Sequence, residues 1–231
     1  MNWKVSIALL ALSLLSPAQF AGAGSVVDRI VATVNGKIIL QSDWEDASRY
    51  EAFIAERSLN TFTAADRKAA LDHLIDQELL REQMRAADSL QPTEQEVEGQ
   101  IKEIRKQYES EKTMTDAEWK DLLATARLTE EDVRRRVTLQ LELIHLVDVH
   151  LRPTANISSA NVERYYQQEL VPQLQQAGAK ETPLTQVAPK IRELLTQQKI
   201  NELLVTWLQT LRAGSEIHTH LYSPANESRA Q

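Results

Sequence analysis

The 231-residue chain contains no cysteine. That excludes a disulfide scaffold, thiolate zinc sites, iron–sulfur clusters and a cysteine nucleophile. Glycine is scarce at 6 residues, while Leu, Glu, Gln, Ala and Arg are abundant. This balance points to helices. Basic excess is also missing. Asp and Glu number 33 against 26 Lys and Arg, a net charge of -7, which excludes a dedicated nucleic-acid binder because phosphate neutralisation needs a basic surface. No glycine-rich phosphate loop, Gly-x-Ser-x-Gly elbow or His-Glu-x-x-His motif is present, so the common signatures of nucleotide, hydrolase and zinc-protease chemistry are absent. Hydrophobic residues make up 42%, enough to bury a core. The length allows one large domain or two small ones.

Residues 1–23 have the three-part pattern of a secretory signal peptide. Lys4 supplies a positive charge, Val5–Leu15 is uncharged, and Ala21-Gly22-Ala23 offers small residues for cleavage after Ala23. The apolar run is shorter than the roughly 20 residues that span a bilayer. Its alternative reading is a retained N-terminal anchor. No other run is long enough to cross a membrane.

Val31-Ala32-Thr33-Val34, Asn35-Gly36 and Lys37-Ile38-Ile39-Leu40 form a hairpin pattern. Asn-Gly accepts the positive φ angles of a two-residue type I′ turn. A run of helix starts follows. Ser42–Glu45, Thr63, Thr93–Glu96, Thr115–Glu118 and Thr129–Asp132 carry capping signatures, in which a hydroxyl and a carboxylate satisfy orphan backbone N–H groups. The first helix is expected to reach Arg57 and the second Ala87. Val137, Leu139, Leu141 and Leu143 alternate like a strand. Acidic residues at its start and the lack of any turn residue before Pro153 favour one long helix, buried on several sides. Ser158 or Ser159 caps a helix that Pro172 kinks or ends. Pro183 opens a last long helix, Gly214 is placed to stop it, and Ser215–Leu221 alternates as one short strand. A single strand needs a partner, so the two chain ends are expected to meet in a small sheet. The fold class is mostly α: a multi-helix core with an N-terminal hairpin joined by a C-terminal strand.

Titratable candidates explain themselves without chemistry. His218 and His220 would share a face but lack a third ligand. His145 and His150 are five apart, which stacks poorly on a helix. Asp43 and Glu45 are accounted for by capping. Arg134-Arg135-Arg136 could meet a headgroup or a carboxylate; pairing with Glu130, Glu131 or Asp132 along the helix is the plainer reading.

Taken in order, the signal pattern, Val26–Asp43, the helical middle ending in Leu151-Arg152-Pro153, and Val162-Glu163-Arg164-Tyr165-Tyr166 resemble the SurA family of periplasmic chaperones. The hairpin followed by Ser42-Asp43 is the most specific element. Pro183–Leu211 and Ile217–Leu221 are similar to that family's C-terminal helix and strand. The resemblance implies a signal peptide at 1–23, a chaperone domain at 24–166, a returning helix and strand at 183–222, and a flexible tail at 223–231. Family members usually carry parvulin prolyl isomerase domains before the last helix. Here only a linker at 167–182 stands in that place, too short for a domain that folds unaided. The resemblance thus implies an ATP-independent, cofactor-free periplasmic holdase for unfolded outer-membrane or secreted proteins, without isomerase activity. An isomerase and an adaptor for one folded partner are the alternatives. Aromatic residues dominate binding surfaces; Tyr50, Phe53, Trp119, Tyr165 and Tyr166 are the candidates for the client groove, with most of the five expected in the core and one or two in the groove. Exchange of the terminal helix and strand between two copies would give a homodimer.

Overall fold

A computed structural model of the protein describes residues 28–84, 91–109 and 113–220. The expected signal peptide and the tail at 223–231 lie outside the described residues. Strands β1 (Ile30–Val34) and β2 (Lys37–Leu40) come first. Asn35 and Gly36 between them have φ of 48° and 82°, the left-handed pair that a type I′ turn requires. Val34 faces Lys37 and Thr33 faces Ile38, but the register then slips: Ala32 pairs with Ile39 and Ile30 with Leu40. Val31 is the extra residue of a bulge. The bulge breaks the simple alternation, so Val31 and Ala32 are both buried.

The C-terminal strand β3 (Ile217–Thr219) pairs antiparallel with β1, giving the order β2-β1-β3. The chain ends therefore meet in a three-stranded sheet, as the lone C-terminal alternation demands. Beyond the paired residues, the His220 N–H donates to the Val31 carbonyl at 2.7 Å.

The remainder is helical: α1 (Gln41–Ile54), α2 (Ala64–Arg81), α3 (Glu94–Gln107), α4 (Asp116–Thr125), α5 (Glu130–Leu151), α6 (Ser159–Tyr165), α7 (Val171–Gln176) and α8 (Leu184–Ala213). Four starts are capping boxes as expected. The backbone N–H groups of Thr63, Thr93, Thr115 and Thr129 donate to Asp66, Glu96, Glu118 and Asp132 at 2.7–2.9 Å. Ser158 and Asn161 form a fifth box.

The first helix departs from expectation. Its N-cap is Leu40, and Asp43 accepts from the Leu40 N–H at 3.0 Å. Ser42 is already helical. Its N–H (3.3 Å) and its hydroxyl both donate to the Asp28 carboxylate. Strand β2 runs into α1 without a turn, so an apolar residue falls at the cap. Asp28, across the sheet end, supplies the acceptor that Leu40 lacks.

Helix ends are also earlier than expected at Ile54 and Arg81. Helix α1 closes with Glu56 at φ 53°, and α4 with Arg127 at φ 56°. The Arg57 and Leu128 N–H groups reach back to the Ala52 and Leu123 carbonyls, each at 2.9 Å. These are Schellman closures made without glycine.

Segment 130–151 is one helix, not a strand. Val133, Val137, Leu143 and Leu146 are buried on more than one of its sides. With Phe53, Trp119 and Leu123, Val133 and Val137 form the core joining α1, α3, α4 and α5. Leu143 and Leu146 belong instead to a cluster that meets Leu204, Trp207 and Leu208 of α8. The sheet rests through Val31, Val34 and Ile39 on Leu71, Ile75 and Leu79 of α2.

In the linker segment 167–182 the expected helix continues past Pro172 as far as Gln176. A wide π-type turn at Tyr166–Leu170 leads into α7, with Pro172 in its first turn. Leu170 and Val171 pack with Val162, Tyr166 and Ile191 against the start of α8. Gly178, at φ 64°, then ends α7. Helix α8 is 30 residues long, about 45 Å at 1.5 Å per residue, so one element reaches from this satellite cluster to the sheet. Gly214 caps it as expected, but at φ -92° rather than in the left-handed region.

Candidate functional site

A cleft of about 450 Å³ opens between α1, α2, α5 and α8. Each helix contributes for a local reason. The apolar residues of α5 point nearly all round it, so after packing on α3 and α8 the helix still has a stripe to spare: Leu139, Leu143, Ile144 and Val147. Helix α8 adds Ile200 and Leu204, α2 adds Leu80, and α1 adds Ala47 and Tyr50. Leu80, Leu143 and Ile200 are buried in the floor, whereas Ile144 is 50% exposed at the rim. Burying such a side chain fully contributes about 1.5–3 kcal/mol, so Ile144 has unspent apolar surface to offer an occupant.

Polar side-chain pairs brace the rim. His73 of α2 meets Glu51 of α1 at 3.0 Å. Arg152, just beyond α5, meets Asp148 at 2.6 Å and Glu193 of α8 at 3.1 Å. Those two carboxylates, Asp148 first, raise the Arg152 pKa. The Arg152 guanidinium is thus already neutralised locally.

The other end differs. Arg136 is partly buried, and its Nη2 donates to the Asp43 carbonyl at 3.3 Å. No carboxylate lies within ion-pair distance of it among the described residues. Burial lowers its pKa, opposed chiefly by the field of Asp46. Asp46 itself is bound by Arg49. The Tyr50 hydroxyl oxygen is buried without a hydrogen-bond partner, and burial raises its pKa against the opposing charge of Arg136. An unmade buried hydrogen bond costs about 1–3 kcal/mol.

The arginine triplet is therefore split by the fold. Arg134 reaches Glu94 at 2.7 Å and also Glu98, both on α3, and Arg135 takes Asp132 at 2.6 Å. Only Arg136 faces the cleft. Pairing along the helix, the plainer sequence reading, describes Arg135 alone.

The five aromatic candidates fall into two groups: Tyr50, Phe53 and Trp119 pack in one core, and Tyr165 and Tyr166 in another cluster. Tyr50 lines the cleft. Phe53 is buried, stacked on Tyr108 at 4.8 Å and tilted against Trp119 at 5.8 Å. The Tyr108 hydroxyl donates to the Phe53 carbonyl, and its pKa is pushed up to about 12 by burial. Phe53 also borders a second cavity of about 370 Å³; Trp119 is buried in the same core. Tyr165 and Tyr166 belong to the satellite cluster. The Tyr166 hydroxyl donates to the Thr182 carbonyl at 2.9 Å and folds the connection back. Sequence reasoning missed Leu143, Ile144, Ile200 and Leu204. The signal was the spread of apolar residues around α5, which exceeds what its helix neighbours cover.

Among the described residues, no three His, Asp or Glu side chains are grouped to hold a metal ion. His218 pairs with Glu216 at 2.9 Å, and the His150 ring stacks on Trp207 at 5.5 Å. No helix of the described residues is long and apolar enough to cross a membrane.

The family model of the SurA-like N-terminal domain matches residues 2–147. The chain belongs to the SurA-like N-terminal domain family. The match takes in the hairpin, α1–α4 and most of α5, so three of the four cleft walls lie within the SurA-like region. The fourth wall, α8, lies beyond it. No curated protein matches the chain beyond chance. The SurA-like family is of chaperone type.

Proposed function

We propose that this chain is an ATP-independent holdase that shelters unfolded outer-membrane or secreted polypeptides in the periplasm, exported there by the signal pattern at 1–23. The observation that carries the reading is the cleft between α1, α2, α5 and α8, whose floor is Leu80, Leu143 and Ile200 and whose rim exposes Ile144. Pockets lined mainly by apolar side chains with a few placed polar groups are the usual binding sites. The reading assigns no catalysis and no cofactor. The domain plan that goes with it keeps 24–166 as the chaperone domain and 183–222 as a return segment that completes the cleft.

A light-scattering assay tests it. The purified chain without residues 1–23 should delay aggregation of a urea-denatured outer-membrane protein on dilution, with no ATP added. No delay at several-fold molar excess overturns the holdase. An adaptor for one folded partner would leave aggregation unchanged and give a single stoichiometric complex. Exchange of α8 and β3 between two copies would keep the same contacts, and sedimentation at micromolar concentration distinguishes monomer from dimer.

A further inference from the structure

The cleft has a direction. Along α5 its lining runs from Arg136 to Arg152, about 24 Å at 1.5 Å per residue. That length takes an extended peptide of about seven residues. At the Arg152 end the cation is bound by two carboxylates. At the Arg136 end the Asp46 and Asp43 carboxylates act on the guanidinium only through their field, and neither bonds it. A guanidinium carries five N–H donors and no acceptor, and Arg136 uses one of them on the Asp43 carbonyl. The Tyr50 hydroxyl beside it has no partner. Arg136 can offer that hydroxyl only N–H groups, so its hydrogen still lacks an acceptor. Both side chains are short of the same thing, an anionic oxygen.

This end is also a wall. Gln77, Arg136 and Leu139 line both the cleft and a separate cavity of about 280 Å³ beneath β2, so they partition the two. The Arg136–Asp43 bond ties α5 to α1 at the same place. A chain lying in the cleft meets that bridge at Arg136, which favours a chain that stops or turns out there.

From the donor excess and the wall together, we infer that the cleft captures the last residues of an extended polypeptide, with the terminal carboxylate received by Arg136 and Tyr50 and the preceding apolar side chains laid on Leu139, Leu143 and Ile144. This rests on the holdase reading and specifies which part of a client enters. A carboxylate brings two oxygens that accept several hydrogen bonds, and Arg binds such a group in a two-pronged geometry. An internal Asp or Glu side chain would need the main chain to continue past the Arg136–Asp43 bridge.

Fluorescence anisotropy with the full chain tests the assignment. The probes are labelled peptides of about seven residues, rich in Leu and Phe, ending in a free carboxylate, in an amide, or in an amide with one internal Glu. The free acid should bind about tenfold more tightly than either amide, a difference of about 1.4 kcal/mol. Arg136→Gln should remove the difference between acid and amide, and Arg136→Lys should keep part of it. Tyr50→Phe should narrow the ratio while leaving thermal unfolding unchanged or raised, because it deletes an unsatisfied hydroxyl; it serves if Arg136→Gln fails to fold. Equal binding of acid and amide overturns the carboxylate site alone, as does tight binding of the internal-Glu amide. Absence of binding by every peptide, together with no delay of aggregation, overturns the holdase reading beneath it.

Discussion

Asn35 and Glu216 exchange two hydrogen bonds. The Asn35 N–H donates to the Glu216 carbonyl at 2.9 Å, and the Glu216 N–H donates to the Asn35 side-chain oxygen at 2.8 Å. The Asn35 amide nitrogen also donates to Glu82 at 2.6 Å and to the Ser215 hydroxyl at 3.1 Å. One residue thus makes the hairpin turn, holds the C-terminal strand and reaches the end of α2. Asn35→Ala loses the side-chain bonds and puts a Cβ residue without local hydrogen bonding in the left-handed region. It should cost about 2 kcal/mol, whereas Asn35→Gly keeps the conformation and should cost about 1 kcal/mol. Urea denaturation of the two variants checks the order. Equal losses would mean that the backbone conformation contributes nothing here.

Glu56 and Arg127 hold φ near +55° at helix ends where glycine is favoured. Glu56→Gly and Arg127→Gly should each stabilise the chain by about 0.5–1 kcal/mol. A lower thermal midpoint in both would show that the side chains contribute more than the strain removes.

The capping carboxylates make the fold sensitive to acid. Asp66 is held well below its ordinary 3.8, first by the Arg57 guanidinium and then by Thr63. Thr93 lowers Glu96, and Thr129 lowers Asp132. Their folded values lie below the unfolded ones. The stability they contribute is therefore fully present above about pH 4 and is lost as pH falls through the folded values. The thermal midpoint should stay level from about pH 7 to 5 and drop below about pH 4. Asp66→Asn should lower the midpoint at neutral pH and make the acid drop shallower. A midpoint that rises on acidification would contradict the assignment.

Ile144 is half exposed on the cleft rim, so a charge placed there should change stability by only about 0.5 kcal/mol. The same charge opposes an apolar occupant. Ile144→Asp should unfold at nearly the wild-type temperature and delay aggregation of a denatured client less. Undiminished protection would move the client surface away from this cleft.

Elements governed by neighbours within four residues were legible in the sequence. The Thr-x-x-Asp/Glu boxes, the Asn35-Gly36 turn and the lone strand at Ile217–Thr219 all follow from local hydrogen bonding and side-chain alternation. The start of α1 was not legible, because its cap acceptor, Asp28, arrives from 14 residues away. Nor were the ends at Glu56 and Arg127, where tertiary packing holds non-glycine residues in a conformation that local preference opposes. The cleft is the extreme case. Its walls come from α1, α2, α5 and α8, separated by more than 150 residues of chain from Ala47 to Leu204. The sequence by itself determined that α5 has more apolar surface than one neighbour can cover. Only the tertiary structure decided which part of that surface stays open, and that of three consecutive arginines Arg136 alone faces into it without a carboxylate, because helix packing distributes successive side chains about 100° apart onto different partners.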